Sequence, residues 1–152
     1  MAAGVSLEGS KLDAWREALQ SHARKDQGLE NDRLQRIIRV DAEVVLSQLS
    51  MDFVESLQGL EPCGMGNPRP LLVARKVDIV GEPKTVGADG RHLKLWLRQE
   101  GVSLDAIAFG RGGMPVRKGM KLDVVFEPEI NEYQGKRSVQ LNIKEISESK
   151  QD

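Results

Sequence analysis

The chain has 152 residues, 22 basic and 23 acidic, a formal net charge of −1, one cysteine and 4% aromatic residues. That length supports one domain, or a small domain with an appendage. A single cysteine and two histidines far apart, His22 and His92, exclude an internal disulfide and a cysteine-based zinc site. No apolar run reaches the roughly 20 residues needed to span a bilayer and no signal-peptide pattern opens the chain, so a cytoplasmic protein without membrane contact is expected.

The near-neutral total hides an asymmetry. Residues 1–70 hold 8 Lys and Arg against 11 Asp and Glu, whereas residues 84–118 hold 7 against 3. A local basic strip of this kind is the signal that matters for a polyanionic partner.

In chain order, residues 1–10 are small and polar apart from Val5 and Leu7. Ser10 followed by Asp13 reads as a capped helix start, and Leu12, Trp15, Leu19 and His22 or Ala23 recur at helical steps to about Lys25. Gly28 and Asn31 break the pattern. Such a helix cannot bury its apolar stripe alone, and Trp15 is expected to be a core or inter-domain anchor. Ile37, Ile38, Val40 and Val44–Leu46 predict a short strand or two over 36–46. Ser50 predicts the cap of a second helix running to Leu57 or Leu60, with Gly59 weakening its last turn. Pro62, Gly64, Gly66, Asn67, Pro68 and Pro70 then form a dense cluster of turn formers, read as a boundary.

Beyond it the period changes to two. Leu72–Val80 reads as a first strand, and Gly81–Gly90 as a loop. Leu93, Leu95 and Leu97 alternate with Lys94, Trp96 and Arg98, giving one apolar face and one basic, aromatic face. Ser103–Phe109 reads as the third strand, and Gly110–Pro115 is too glycine-rich for a regular helix. Leu122, Val124 and Phe126 mark a fourth strand with Pro128 near its end, where an edge tolerates it. Asn131–Lys136 reads as a polar hairpin loop, and Val139, Leu141 and Ile143 mark a fifth strand before a polar tail. The predicted fold is mainly β with N-terminal helices: a five-stranded OB-type Greek-key barrel preceded by a helical and short-strand segment. Other five-stranded barrels, SH3-like ones among them, fit the alternation almost as well.

A series of matches in order adds to this pattern. Leu60–Pro70, His92–Leu95, Leu104–Phe109, Leu122–Pro128, Asn131–Gly135 and Val139–Ile143 together resemble the OB domain of RecJ exonucleases, over about residues 36–147. Ala2-Ala3-Gly4 and the helix bearing Trp15 resemble the end of the DHH-associated domain of the same family. The resemblance implies a remnant of that domain over 1–35, a strand, helix and turn segment over 36–70, an OB barrel over 71–147 and a tail over 148–152. Cys63 stands where the family commonly has Phe. By resemblance the parent is a Mg²⁺- or Mn²⁺-dependent 5′-to-3′ single-stranded-DNA exonuclease of repair and recombination, whose metal-binding DHH domain is expected to lie outside this chain. No cofactor is therefore expected here, and the fragment alone is expected to be inactive. The implied partners are single-stranded DNA, the DHH and DHH-associated domains, and other repair proteins.

OB folds bind strands on their second and third strands and on the loops joining strands 1–2 and 4–5. Arg91, Lys94, Trp96 and Arg98 belong to the second strand, Lys84 to the first loop, and Tyr133, Lys136 and Arg137 to the last. Arg111 and Arg117 flank the glycine-rich stretch Gly110–Gly113, a candidate for tracking phosphates. Trp96 either stacks on bases or covers an adjoining domain. His92 reads as an ordinary strand-edge residue or a phosphate contact, and Gly64–Asn67 as a structural turn. Asp123, Glu127, Glu129 and Glu132 form the best acidic group, and the first three are spaced to share a strand face, which reads as solvated rather than metal-binding. The competing functional class is a protein-docking OB module that binds a repair partner instead of DNA.

Overall fold

The computed structural model describes residues 4–26 and 37–149. The chain divides into two compact units, Met1–Ile38 and Arg39–Asp152.

In the first unit a 3-10 turn, Gly9–Lys11, leads into helix α1, Leu12–Asp26. Ser10 does not cap the helix as its spacing suggested. It lies inside the 3-10 turn, whose entry is closed by the Lys11 N–H donating to the Glu8 carbonyl at 2.9 Å. The expected apolar stripe is present but exposed: Leu12, Trp15 and Leu19 each keep more than a third of their surface. Gly28 and Asn31, expected to end the helix, fall outside the described residues, as does the first residue of the strand expected over 36–46.

The second unit opens with β1, only Ala42–Glu43, followed by a 3-10 turn at Leu46–Gln48 and helix α2, Met51–Gln58. Of the valines and leucine that suggested a longer strand, Val40 is exposed, while Val44 packs against the core and Leu46 is buried with Leu49 and Val54 as a plug. The Leu46 N–H donates to Oε1 of Gln99 at 2.9 Å, and Nε2 of Gln99 donates to the Arg75 carbonyl at 2.7 Å, pinning the plug to two strands. Ser50 caps α2 as expected, its Oγ accepting from the Phe53 N–H at 3.1 Å. The Gly64–Asn67 turn is closed by reciprocal backbone bonds of 2.8 and 3.1 Å, and the Asn67 side chain donates to the carbonyls of Leu60 and Pro62. Its polar groups serve the turn itself.

Six further strands follow: β2 Leu72–Ile79, β3 Lys84–Val86, β4 His92–Gln99, β5 Val102–Ala108, β6 Lys121–Tyr133 and β7 Lys136–Glu148. Five of them close a ring in the order β2-β6-β7-β5-β4, with β4 returning to β2 through Asp78–Arg98 and Ile79–Leu97. All ring pairs are antiparallel except β5–β7. β1 adds to β2, and β3 to β4. The ring interior holds Val77, Leu95, Leu97, Leu122, Val124, Phe126 and Leu141, all essentially inaccessible.

Two expectations need correction. The stretch Asn131–Lys136 is not a loop: β6 and β7 extend to a two-residue turn, Gln134-Gly135, with φ of 51° and 73°. Two consecutive positive φ values match the twist of the flanking strands and let pairing continue to the tip. Pro128 is consequently inside β6 and not near its end. It lies beyond Phe126, the last residue of β6 paired with β2, so one side of the strand is open there.

Asp123 organises a bulge in β2. Lys76 adopts φ of 54°, and its N–H donates to Asp123 Oδ1 at 2.9 Å, while the Arg75 guanidinium lies 3.3 Å from Oδ2. The Ser149 hydroxyl also donates to Oδ1. Burial opposes ionisation of this carboxyl, but the Ser149 hydroxyl, the Lys76 amide and the Arg75 charge together hold it below the usual aspartate range. A depressed carboxyl stabilises the fold above the ordinary aspartate pKa of about 4. That stability is lost as pH falls through the folded value. Asp123→Asn is therefore expected to lower stability by about 1–2 kcal/mol at pH 7 and to approach wild type in strong acid. Chemical denaturation at neutral and acid pH checks this; a gap that does not narrow in acid contradicts it.

Candidate nucleic-acid interface

Strict alternation along β4 sends Leu93, Leu95 and Leu97 into the ring and His92, Lys94, Trp96 and Arg98 outward. The outer face of β4 is continuous with β3 on one side and β5 on the other. Lys84 stands directly opposite Lys94, and Asp105 directly opposite Trp96. Two lysines facing each other across strands repel, and here the indole answers both. The Lys84 and Lys94 ammonium groups lie 5.3 and 5.4 Å from the Trp96 ring centroid, the geometry of cation–π attraction. Lys94 is also 3.2 Å from Asp105, with both side chains 31% exposed. One half-buried indole thus gathers two cations and one carboxylate.

The other residues proposed from sequence are spread more widely. Arg98 is exposed on the same face and, among the described residues, forms no ion pair. Arg91 pairs loosely with Asp89 at 3.3 Å, both largely solvated. Arg111 is engaged: its guanidinium donates to both oxygens of Glu145 at 2.9 and 3.0 Å. Arg137 is held by Glu55 of α2 at 2.9 Å. Tyr133, 69% exposed, and Lys136 stand opposite each other at the β6–β7 turn. Arg117 is exposed in the β5–β6 connection, its N–H directed at the Met120 sulfur. Because β7 runs parallel to β5, the Tyr133–Lys136 tip lies at the end where β5 begins, and the glycine-rich loop lies where β5 finishes.

That loop is tied to the β3–β4 loop by backbone. The Gly112 N–H donates to the Arg91 carbonyl at 2.9 Å, and any Cβ on Gly112 would lie 1.9 Å from the Gly90 carbonyl oxygen. Close approach of the two loops is what demands glycine at this position. His92 completes the tie: its Nδ1 accepts from the Gly110 N–H at 3.1 Å, and its ring meets Phe109 edge-on at 5.0 Å between centroids.

Phe109 was not singled out from sequence as a contact residue, yet it is 54% exposed. The signal was there: Ala106 and Ala108 face inward, so Asp105, Ile107 and Phe109 share the outward parity. Asp105 was missed because its importance comes from its cross-strand neighbours.

Three of the four acidic residues considered for metal binding are engaged otherwise. Asp123 serves the bulge, Glu127 meets Lys144 at 3.0 Å, and Glu129 accepts from Asn142 at 3.3 Å. Among the described residues no group of three or more His, Cys, Asp or Glu is arranged to hold a metal ion, so a catalytic metal pair does not fit them. Nor is any helix among them long and apolar enough to cross a membrane.

A family profile described as the RecJ OB domain matches residues 40–145. The chain belongs to the RecJ OB-domain family. It is 26% identical over 151 residues to the single-stranded-DNA-specific exonuclease RecJ of Bacillus subtilis, covering 98% of this chain and 19% of that protein. Against RecJ of Haemophilus influenzae it is 30% identical over 117 residues, covering 74% of the chain and 20% of the relative. The crystal structure of RecJ from Thermus thermophilus in complex with Mn²⁺ superposes with a TM-score of 0.66 at 19% identity, over 97% of this chain and 21% of that one. The chain thus spans about a fifth of the length of these relatives, and the Thermus likeness bears on the fold of the RecJ OB module alone.

Proposed function

We propose that this chain is the single-stranded-DNA-holding OB module of a RecJ-like 5′-to-3′ exonuclease that acts in DNA repair and recombination in the cytoplasm. The observation that carries the reading is the outward Trp96 flanked by Lys84 and Lys94 on the strand that OB folds use for ligands. Unpaired bases present a free π face to such an indole, and the lysines supply charge for the backbone. A base that stacks on Trp96 displaces an ammonium group from the ring, and that lysine is then free to meet a phosphate. A duplex keeps its bases stacked inside and gains only the charge term. Bond scission, with the Mg²⁺ or Mn²⁺ it needs, is assigned to the part of the RecJ relatives that this chain does not match. Fluorescence anisotropy with labelled oligothymidine and with a blunt duplex tests the reading: preferential binding of the single strand, weakening as salt rises, is expected. A folded protein that ignores the single strand at low salt overturns it.

Asp105 competes with phosphate for Lys94. Asp105→Asn is expected to tighten oligothymidine binding about 2- to 5-fold at low salt, since an exposed ion pair of this kind is worth below about 1 kcal/mol. Weakened binding contradicts the arrangement.

The protein-docking reading has an observation of its own. An open groove of about 250 Å³ lies between α2, the turn before β2 and β6, lined by Val54, Leu57, Pro70, Pro128 and the paired Glu127 and Glu129. Its lining carries three carboxylates, Glu61, Glu127 and Glu129, against the one cation Arg69, which lies 3.6 Å from Glu61, so it suits a protein partner better than DNA.

A further inference from the structure

We propose that Phe109, braced by His92, is a second stacking platform for single-stranded DNA on the same face as Trp96; this rests on the single-strand-binding reading above. A phenylalanine at the end of a strand normally turns into the core. Phe109 does the opposite, keeping 54% of its surface in solvent although Ala108 beside it is fully buried. Its ring nonetheless has a neighbour: it meets His92 edge-to-face, with centroids 5.0 Å apart and planes at 73°, and His92 is itself anchored by the hydrogen bond from the Gly110 N–H. The underlying loop is locked by the contact of Gly112 with Gly90 and Arg91. An exposed flat ring braced on one side binds at a lower entropic cost than an unbraced one.

Register places it on the ligand face. Leu93 pairs with Ala108 and Trp96 with Asp105, so Phe109, the residue just past the end of β5, is next to His92 and four residues from the Trp96 rung. At about 3.3 Å per strand residue that separation is about 13 Å, the length of about four stacked nucleotides at about 3.4 Å each and fewer where the strand is stretched. Lys94, outward between the two aromatic positions, lies where a phosphate linking the stacked bases would pass. Two platforms with a cation between them define a path along β4 and β5, so affinity should depend on oligonucleotide length until both rings are reached.

The test uses the whole chain with oligothymidine carrying single 5-iodouracil substitutions, photocrosslinking read by mass spectrometry, and anisotropy on variants. Adducts at both Trp96 and Phe109 are expected, from bases a few nucleotides apart. Phe109→Ala and Phe109→Leu are each expected to weaken binding roughly 5- to 150-fold, and Phe109→Trp to retain it. Leucine preserves apolar bulk but not a flat ring, so equal binding by the leucine variant, or no adduct at Phe109 while Trp96 still crosslinks, overturns the proposal and leaves the single-strand reading intact. If the wild-type chain binds no oligothymidine, both fall.

Discussion

Replacing Phe126 with alanine is expected to cost about 3–5 kcal/mol, the range for deleting a fully buried phenylalanine. Its side chain is inaccessible to solvent and sits where β6 meets both β2, at Leu72, and β7, at Ile143. The register shifts between Val125 and Phe126 at this place, so the ring fills the space that a kinked strand would otherwise leave empty. The wall around it is a hydrogen-bonded ring of strands that cannot collapse locally, so the cavity contribution should be felt in nearly full measure. Domains of this size are stable by only about 5–15 kcal/mol, and the variant should be severely weakened. Urea unfolding followed by circular dichroism measures it; a loss below about 1 kcal/mol would mean that the ring interior is not organised around Phe126.

Trp96→Ala should cost far less stability than Phe126→Ala while weakening oligothymidine binding by about 1–3 kcal/mol. The two effects separate because Trp96 is outward and half-buried, whereas its neighbours Leu95 and Leu97 are fully inside. Loss of the indole also removes the surface on which Lys84 and Lys94 rest, so the two lysines facing each other across β3 and β4 are left with Asp105 as their counter-charge. Phe at this position should restore part of the affinity, being flat but a weaker cation acceptor. Parallel anisotropy and thermal unfolding check the separation; unchanged affinity in a folded Trp96→Ala protein would move the binding face elsewhere.

The strands of the ring were legible wherever one face is buried. Leu93, Leu95 and Leu97 show β4 by alternation, and the same rule turns Trp96 outward. Ser50 announced α2 because its hydroxyl meets a need local to the helix start. What local pattern does not encode was missed. β3 has three residues, mostly exposed, and no period to read. The β6–β7 pairing to its tip depends on Gln134 accepting a positive φ, which its side chain does not advertise. The valines and leucine of 44–46 were read as strand, yet their apolar character serves a plug whose partner, Gln99, comes much later in the chain.

The site was legible to a similar depth. The residue types of the Lys84, Lys94 and Trp96 group were visible, but the pairings that decide which cations remain available were not. Arg111 with Glu145 and Arg137 with Glu55 are tertiary ion pairs between distant segments. No spacing rule distinguishes these arginines from Arg98, which among the described residues has no such partner. Phe109 shows the complementary case: its parity was readable, but only its exposure and its contact with His92 make it a candidate for binding.

The most direct test is an amide chemical-shift titration of the isotopically labelled chain with short oligothymidine. Perturbations are expected to concentrate on β3, β4 and β5, with the Trp96 indole N–H among the largest, and to leave α2 and the outer side of β6 quiet. A response confined to α2, the turn before β2 and β6, with β3–β5 unmoved, would contradict the account.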